Sequence, residues 1–262
     1  MCHAYLRTRL GTAAIVRAFR ASLRIVAVMA ALTLTPERAS AQTSFPTSSR
    51  ELLAMQVDKL MWLLDATRPL PISGKQQADV LSRLPPDGEV TEIDAVSREK
   101  LAMLTPVLRA AKRETVYTIK VIAVRQAFIG LHGRTVLLVS DHALALLDPD
   151  ELQAVVAHEI GHEYVWEDYE RAVARRAARR LRDLELVCDI VATLTLQSIG
   201  RDAAPLIDGL AKLSAFNRKA IGTALNEGHY PPLDQRRAAV LALRPLQSLQ
   251  APPVAVCGGR CE

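Results

Sequence analysis

Asp148-Pro-Asp-Glu-Leu-Gln-Ala-Val-Val-Ala-His158-Glu159-Ile-Gly-His162-Glu163 is the stretch on which the fold turns. Asp148 can cap a helix, Pro149 suits the first turn, and Glu151 completes a capping pair. The run Val155-Val156-Ala157 makes the surroundings of the two histidines apolar. His158 and His162 stand four apart, so both imidazoles leave one face about a turn apart. That spacing lets two ring nitrogens reach one zinc ion at ~2.0–2.1 Å. Glu159 stands beside the open coordination position, where a carboxylate can take a proton from metal-activated water. The chain has only six His. An ionised Glu buried between two of them without a metal or partner would be costly, which disfavours a chance pairing on an amphipathic helix.

A catalytic zinc needs a third protein ligand and an open position. Asp168 is the sixth residue after His162, but Val165 stands where a glycine would let the chain turn back. Glu185 is the better candidate. Glu185 and Asp189 are again four apart, set among Leu184, Leu186, Val187, Ile190 and Val191, which read as buried. In this reading Glu185 ligates and Asp189 orients a ligating His by a hydrogen bond; a solvated pair of acids is the alternative. A straight helix would leave Glu185 about 35 Å from His162 at ~1.5 Å per residue. The chain must therefore reverse near 170–178, although Ala172-Val-Ala-Arg-Arg-Ala-Ala178 contains neither Gly nor Pro.

The surrounding chain is mostly helical. Ser48 opens a helix with Glu51 as capping-box partner and Leu52, Leu53, Met55, Leu60, Leu63 and Leu64 as its apolar face. Residues 68–93 are rich in Pro and Gly, with one short helix near 75–84; they either shield the cleft or form a surface loop. A helix over Ser97–Arg113 is bent or broken near Pro106. Val116 to Val124 and Thr135 to Val139 are β-formers and predict two or three strands in one small sheet. Further helices are expected at about 141–147, 149–172, 178–199, 203–219 and 232–246. The fold class is α+β: a mainly helical domain over 48–247, with a small β-sheet and a helical hairpin carrying the candidate ligands. Residues 42–47 read as a linker and 248–262 as a Pro/Gly-rich C-terminal tail.

Residues 1–41 read as a signal peptide. Arg7, Arg9, Arg17, Arg20 and Arg24 make a basic region, Ile25 to Leu34 is a short apolar run, and Ala39-Ser40-Ala41 is a small-residue site with cleavage expected after Ala41. The run is shorter than the ~20 residues of a membrane span; an uncleaved anchor is the alternative. Removing this segment takes six Arg and one Glu from 33 basic and 28 acidic residues and leaves 27 of each. The basic balance thus belongs to the signal, and with aromatics at 4% no case for nucleic acid remains. Cys257 and Cys261, in Cys-Gly-Gly-Arg-Cys, either close a local disulfide in an oxidising compartment or stay a free or intermolecular pair. Cys188 reads as a small buried residue.

The ordered set of motifs resembles the gluzincin zinc metallopeptidases of peptidase family M48, the group of the heat-shock protease HtpX and the CAAX prenyl protease. The matching residues are Val136-Leu-Leu-Val-Ser-Asp-His-Ala-Leu144, Asp150 through His162, Glu185 to Asp189, and Pro231-Pro-Leu-Asp-Gln-Arg236. The resemblance spans roughly 115–245. It implies His158, His162 and Glu185 as zinc ligands, Glu159 as general base and Asp189 behind a ligand. The interval from His162 to Glu185 is short for the family, and Cys188 stands where Ala is common. The family's late element has His directly before its Pro; here Tyr230 holds that place, with His229 one residue earlier. Either His229 or Tyr230 is a candidate donor to the developing oxyanion.

The resemblance therefore implies a zinc-dependent metalloendopeptidase with one zinc per chain. Its polypeptide substrates would be unfolded or misfolded envelope proteins. The chain would be periplasmic or secreted, without a transmembrane helix once mature. The Thr135–Val139 strand either holds an extended substrate by strand addition or is an ordinary packed strand. The rival reading is a non-proteolytic zinc-containing chaperone or adaptor, against which Glu159 counts, since structural zinc needs no base.

Overall fold

The computed structural model describes residues 44–84, 88–90, 92–221 and 229–243. The signal segment, the cleavage point, the 248–262 tail and Cys257 and Cys261 lie outside them. In chain order the elements are α1 (Ser49–Leu53), α2 (Val57–Ala66), α3 (Gly74–Ser82), α4 (Ala95–Ala102), α5 (Thr105–Ala110), β1 (Thr118–Ile122), β2 (Ile129–His132) and β3 (Val136–Ser140). There follow α6 (Asp141–Leu146), α7 (Pro149–Tyr164), α8 (Trp166–Ala174), α9 (Ala178–Ser198), α10 (Ala204–Ile221) and α11 (Leu233–Ala242). This is the mainly helical α+β fold expected, with one small mixed sheet. No helix among the described residues is long and apolar enough to cross a membrane.

Helix α7 begins as its sequence says. Asp148 accepts the Glu151 N–H at 2.9 Å while the Glu151 side chain accepts the Asp148 N–H at 2.9 Å. Every residue from Glu151 to Glu163 is buried. A helix sunk on all sides needs packing partners all round, and α7 has the sheet, α9 and α10. Two apolar clusters result. Leu104, Val107, Ile129, Leu137, Val139, Leu152, Val156 and Leu206 belong to one. Leu52, Leu60, Val165, Leu184, Val187 and Ile190 belong to the other, beneath α9.

Three expected helices are divided. The first ends at Ala54 and resumes at Val57, because Ser49 N–H and Oγ bind Asp183 of α9 and fix α1 there, while Leu60, Leu63 and Leu64 of α2 turn inward. The break expected near Pro106 is present, at Met103–Leu104. Pro106 lies in the first turn of α5, where its missing N–H is not needed. The 149–172 helix breaks at Val165, whose side chain is buried in the second cluster.

The reversal required between His162 and Glu185 is present. The Ala177 N–H donates to Ala172 O at 2.9 Å and the Arg176 N–H to Val173 O at 3.0 Å, a Schellman closure of α8. Arg176 occupies the left-handed position at φ 53°, usually held by glycine. The closure is made of backbone bonds, so composition gave no sign of it.

β3 lies between β1, parallel to it, and β2, antiparallel to it. Both its edges are paired. That corrects the expectation that the Thr135–Val139 strand adds a substrate strand: the site-facing edge belongs to β2. Gly133 and Arg134, at φ 55° and 58°, form the tight turn between β2 and β3.

Candidate metal centre

Helix α7 supplies His158, Glu159 and His162, all buried, with one ligand atom of each within 4.8 Å of the others. Helix α9 brings Glu185 and Asp189 against them. Gly161 makes this approach possible. A methyl there would lie 2.8 Å from Cys188 Cα and 2.9 Å from Cys188 O, so the two helix backbones are nearly touching.

His158 is fixed at both nitrogens. Its Nδ1 lies 2.8 Å from Asp189 Oδ1, and its Nε2 lies 3.2 Å from Glu185 Oε2. With Nδ1–H donated to Asp189, a neutral ring turns a lone pair on Nε2 toward a carboxylate oxygen, an arrangement that requires a cation between them. Two ligands with ~2.0–2.1 Å bonds to one tetrahedral ion stand about 3.4 Å apart, close to the separation seen. In the metal-free protein a proton takes that place. Burial opposes the charge on His158, but the bonds to Asp189 and Glu185 outweigh it and push its pKa up to about 9. Burial would raise the Glu185 pKa, but the hydrogen bond and the charge of His158 lower it and keep the carboxylate ionised.

Asp189 is held in turn by Arg236. The guanidinium, itself buried, donates from Nε to Oδ2 at 2.7 Å and from an Nη to Oδ1 at 2.6 Å. Burial alone would raise the Asp189 pKa; the Arg236 charge and the His158 bond bring it below the ordinary value. Sequence reasoning quoted Arg236 within a motif but gave it no task. The signal was there, since a fully buried carboxylate behind a ligand needs a cationic partner.

His162 is differently placed. Burial lowers its pKa to about 3, so it is neutral and open to a metal at ordinary pH. Its Nδ1 lies 3.5 Å from Cys188 Sγ, and the Tyr169 ring packs edge-on against it at 4.7 Å between centroids. Tyr169 also donates to Glu185 Oε1 at 2.9 Å. One side chain thus touches two of the candidate ligands. Sequence reasoning passed over Tyr169, whose only sign was its place seven residues after His162. Asp168, the rejected ligand, points elsewhere and pairs with Arg180 at 3.0 Å and with Arg171.

Glu159 faces β2. Its Oε2 accepts the Leu131 N–H at 3.2 Å, and burial raises its pKa above the ordinary glutamate value. Tyr230 is half-buried. Burial first, and then the Glu185 and Glu159 charges, raise the pKa of its hydroxyl and keep it protonated as a donor. Next along α7, the buried Glu163 binds Arg113 at 2.7 and 3.0 Å, Arg134 at 3.2 Å and the Tyr117 hydroxyl. Arg113 and Arg134 also hold the Pro69 and Leu70 carbonyls, so the 68–73 segment is tied to the β2–β3 turn.

Residues 94–206 match the model of peptidase family M48, a metallopeptidase family. The match covers His158, Glu159, His162, Glu185 and Asp189 and stops short of His229, Tyr230 and Arg236. No curated protein matches the chain.

Proposed function

We propose, from the peptidase family M48 domain carried at residues 94–206, that this chain is a zinc-dependent endopeptidase. The observation that carries the proposal is the His158 Nε2–Glu185 Oε2 pair at 3.2 Å, with Asp189 fixing the opposite ring nitrogen. The donor set fits zinc: two imidazoles and a carboxylate, which leaves the fourth tetrahedral position to water or substrate. His158, His162 and Glu185 would hold the ion, one per chain. When bound, zinc supplies a Lewis acid and lowers the pKa of a coordinated water to ~7.

The remaining work falls to the chain's own side chains. Glu159 takes the proton of the attacking water and returns it to the leaving amine. Tyr230 donates to the oxygen on which negative charge develops, a contribution of about 2.7–4 kcal/mol where such a donor is decisive. The outer edge of β2 aligns an extended substrate by backbone pairing, with Leu131 nearest the reacting carbonyl. Recognition through backbone favours unfolded or misfolded chains over folded ones. With the signal-like segment at 1–41, this reading places the protein in the periplasm or outside the cell, acting on envelope proteins.

The test is cleavage of an unfolded protein by wild type and Glu159→Gln, with and without chelator, alongside metal analysis. Glu159→Gln should keep its zinc and lose about 10²–10⁴-fold in rate. Equal cleavage by both would remove Glu159 from the mechanism. Binding without cleavage by both would favour the adaptor reading.

A further inference from the structure

We propose that the tip of the α8–α9 hairpin is a docking surface for anionic lipid headgroups, formed by Arg175, Arg176 and Arg179. Residues 171–182 contain six Arg and no acid. Arg171 and Arg180 are neutralised locally, by Glu167 and Asp168 and by Asp168 and Asp183 respectively. Arg175, Arg176 and Arg179 are exposed, and among the described residues no carboxylate lies within ion-pair distance of them. Three unneutralised guanidinium groups therefore share one convex turn.

The backbone at this turn strengthens the case. Arg176 holds the left-handed position of the α8 closure, at φ 53°. The same position at the end of α9 is filled by Gly200, at φ 70°. Lys112 closes α5 in the same way, but its ammonium reaches Asp65 at 3.9 Å. Arg176 bears the strain with no ion pair in return, so its charge has no use within the described fold. No side chain caps α9, so the N–H groups of its first turn add to the positive field beside Arg179.

The shape of the tip selects the partner. Its other residues are small, chiefly Ala172, Ala174, Ala177 and Ala178, and no aromatic ring lies between residues 170 and 182. Single-stranded nucleic acid would need such rings to stack its bases. A convex cationic tip suits a flat array of phosphates. Arg179 precedes Glu185 by six residues on one helix, roughly 9 Å along its axis. Docking at the tip would hold the candidate metal centre close above the headgroups, within reach of chains emerging at a bilayer surface. The inference stands on the hairpin's charge and does not depend on the zinc reading.

The experiment is co-sedimentation of the full chain with vesicles of phosphatidylglycerol and phosphatidylcholine in equal parts, and with phosphatidylcholine alone. Wild type should prefer the anionic vesicles and lose that preference as salt rises. Each arginine near such a surface strengthens attachment about five-fold, so R175Q/R176Q/R179Q should bind roughly 100-fold more weakly. The neutral vesicles separate this effect from apolar insertion by any other segment. Arg176→Gly should move two readouts in opposite directions: vesicle binding weakens about five-fold, while relief of the left-handed strain raises the thermal midpoint by about 2 °C. Three results would overturn the proposal: wild type indifferent to anionic lipid, the triple variant binding like wild type, or tighter binding to a single-stranded oligonucleotide than to anionic vesicles at the same salt.

Discussion

Gly161→Ala sets two physical effects against each other. Helix propensity alone favours Ala over Gly by about 0.8–1.0 kcal/mol. Against this, the new methyl would meet Cys188 Cα at 2.8 Å and Cys188 O at 2.9 Å, where ordinary contact begins near 3.4 Å. Both obstacles are backbone, so no rotamer change relieves them, and α7 and α9 must part by about 0.6 Å. Overpacking of this kind costs about 1–3 kcal/mol, and the rigid neighbours here argue for the upper part of that range. The net effect should be a loss of about 1–2 kcal/mol. The same displacement carries Glu185 away from His158 and lengthens their 3.2 Å separation toward about 3.8 Å, beyond the ~3.4 Å that one tetrahedral zinc spans. Zinc affinity should fall by at least 10-fold, in the range seen when a ligand's support is lost. Urea unfolding of the chelated protein reads the first effect, and competition with a zinc indicator reads the second. A variant at least as stable as wild type with unchanged zinc affinity would refute the close-contact reasoning for both.

Arg236→Met should destabilise the metal-free protein by about 3–5 kcal/mol, because it strands the buried Asp189 carboxylate; urea unfolding measures it. Tyr169→Phe keeps the ring against His162 but removes the hydroxyl from Glu185, and should weaken zinc binding about 10–100-fold by indicator competition with little change in helix content. The metal-free protein should show a stability maximum near pH 6.5. His158 is raised from 6.5 to about 9, so its contribution is complete below 6.5 and is lost as pH climbs to 9. His162 is lowered from 6.5 to about 3, so the folded state loses ground as pH falls through that window, where only the unfolded chain takes up the proton. Urea midpoints across pH 4–10 in chelator test this, and a flat profile would count against both assignments. Zinc uptake at pH 7 should release about one proton, the one held between His158 and Glu185, measured calorimetrically in buffers of different ionisation enthalpy.

The local features of this protein are written in its sequence. The capping box at Asp148 and Glu151, the one-face spacing of His158 and His162, and the pairing of Glu185 with Asp189 all follow from helix geometry and from contacts a few residues long. So does the need for a reversal between His162 and Glu185, since helix rise sets the distance. How the chain reverses was not legible. The turn closes through backbone bonds around Arg176, in a conformation that composition assigns to glycine, and it forms because Val165, Leu181 and Leu184 bury themselves in a cluster assembled from distant segments.

The partners of the site were equally hidden. Arg236 reaches Asp189 across 47 residues, and Leu131 reaches Glu159 across 28. The middle place of β3, which denies it a free edge, depends on pairing order, which strand propensity does not encode. Sequence alone marked which side chains are candidate metal ligands and that they lie on helices. Only the tertiary structure decided which carboxylate faces which imidazole, what holds each in place, and which strand borders the site. The physical reason is that buried charges and close helix contacts are stable only when several remote segments supply their partners together.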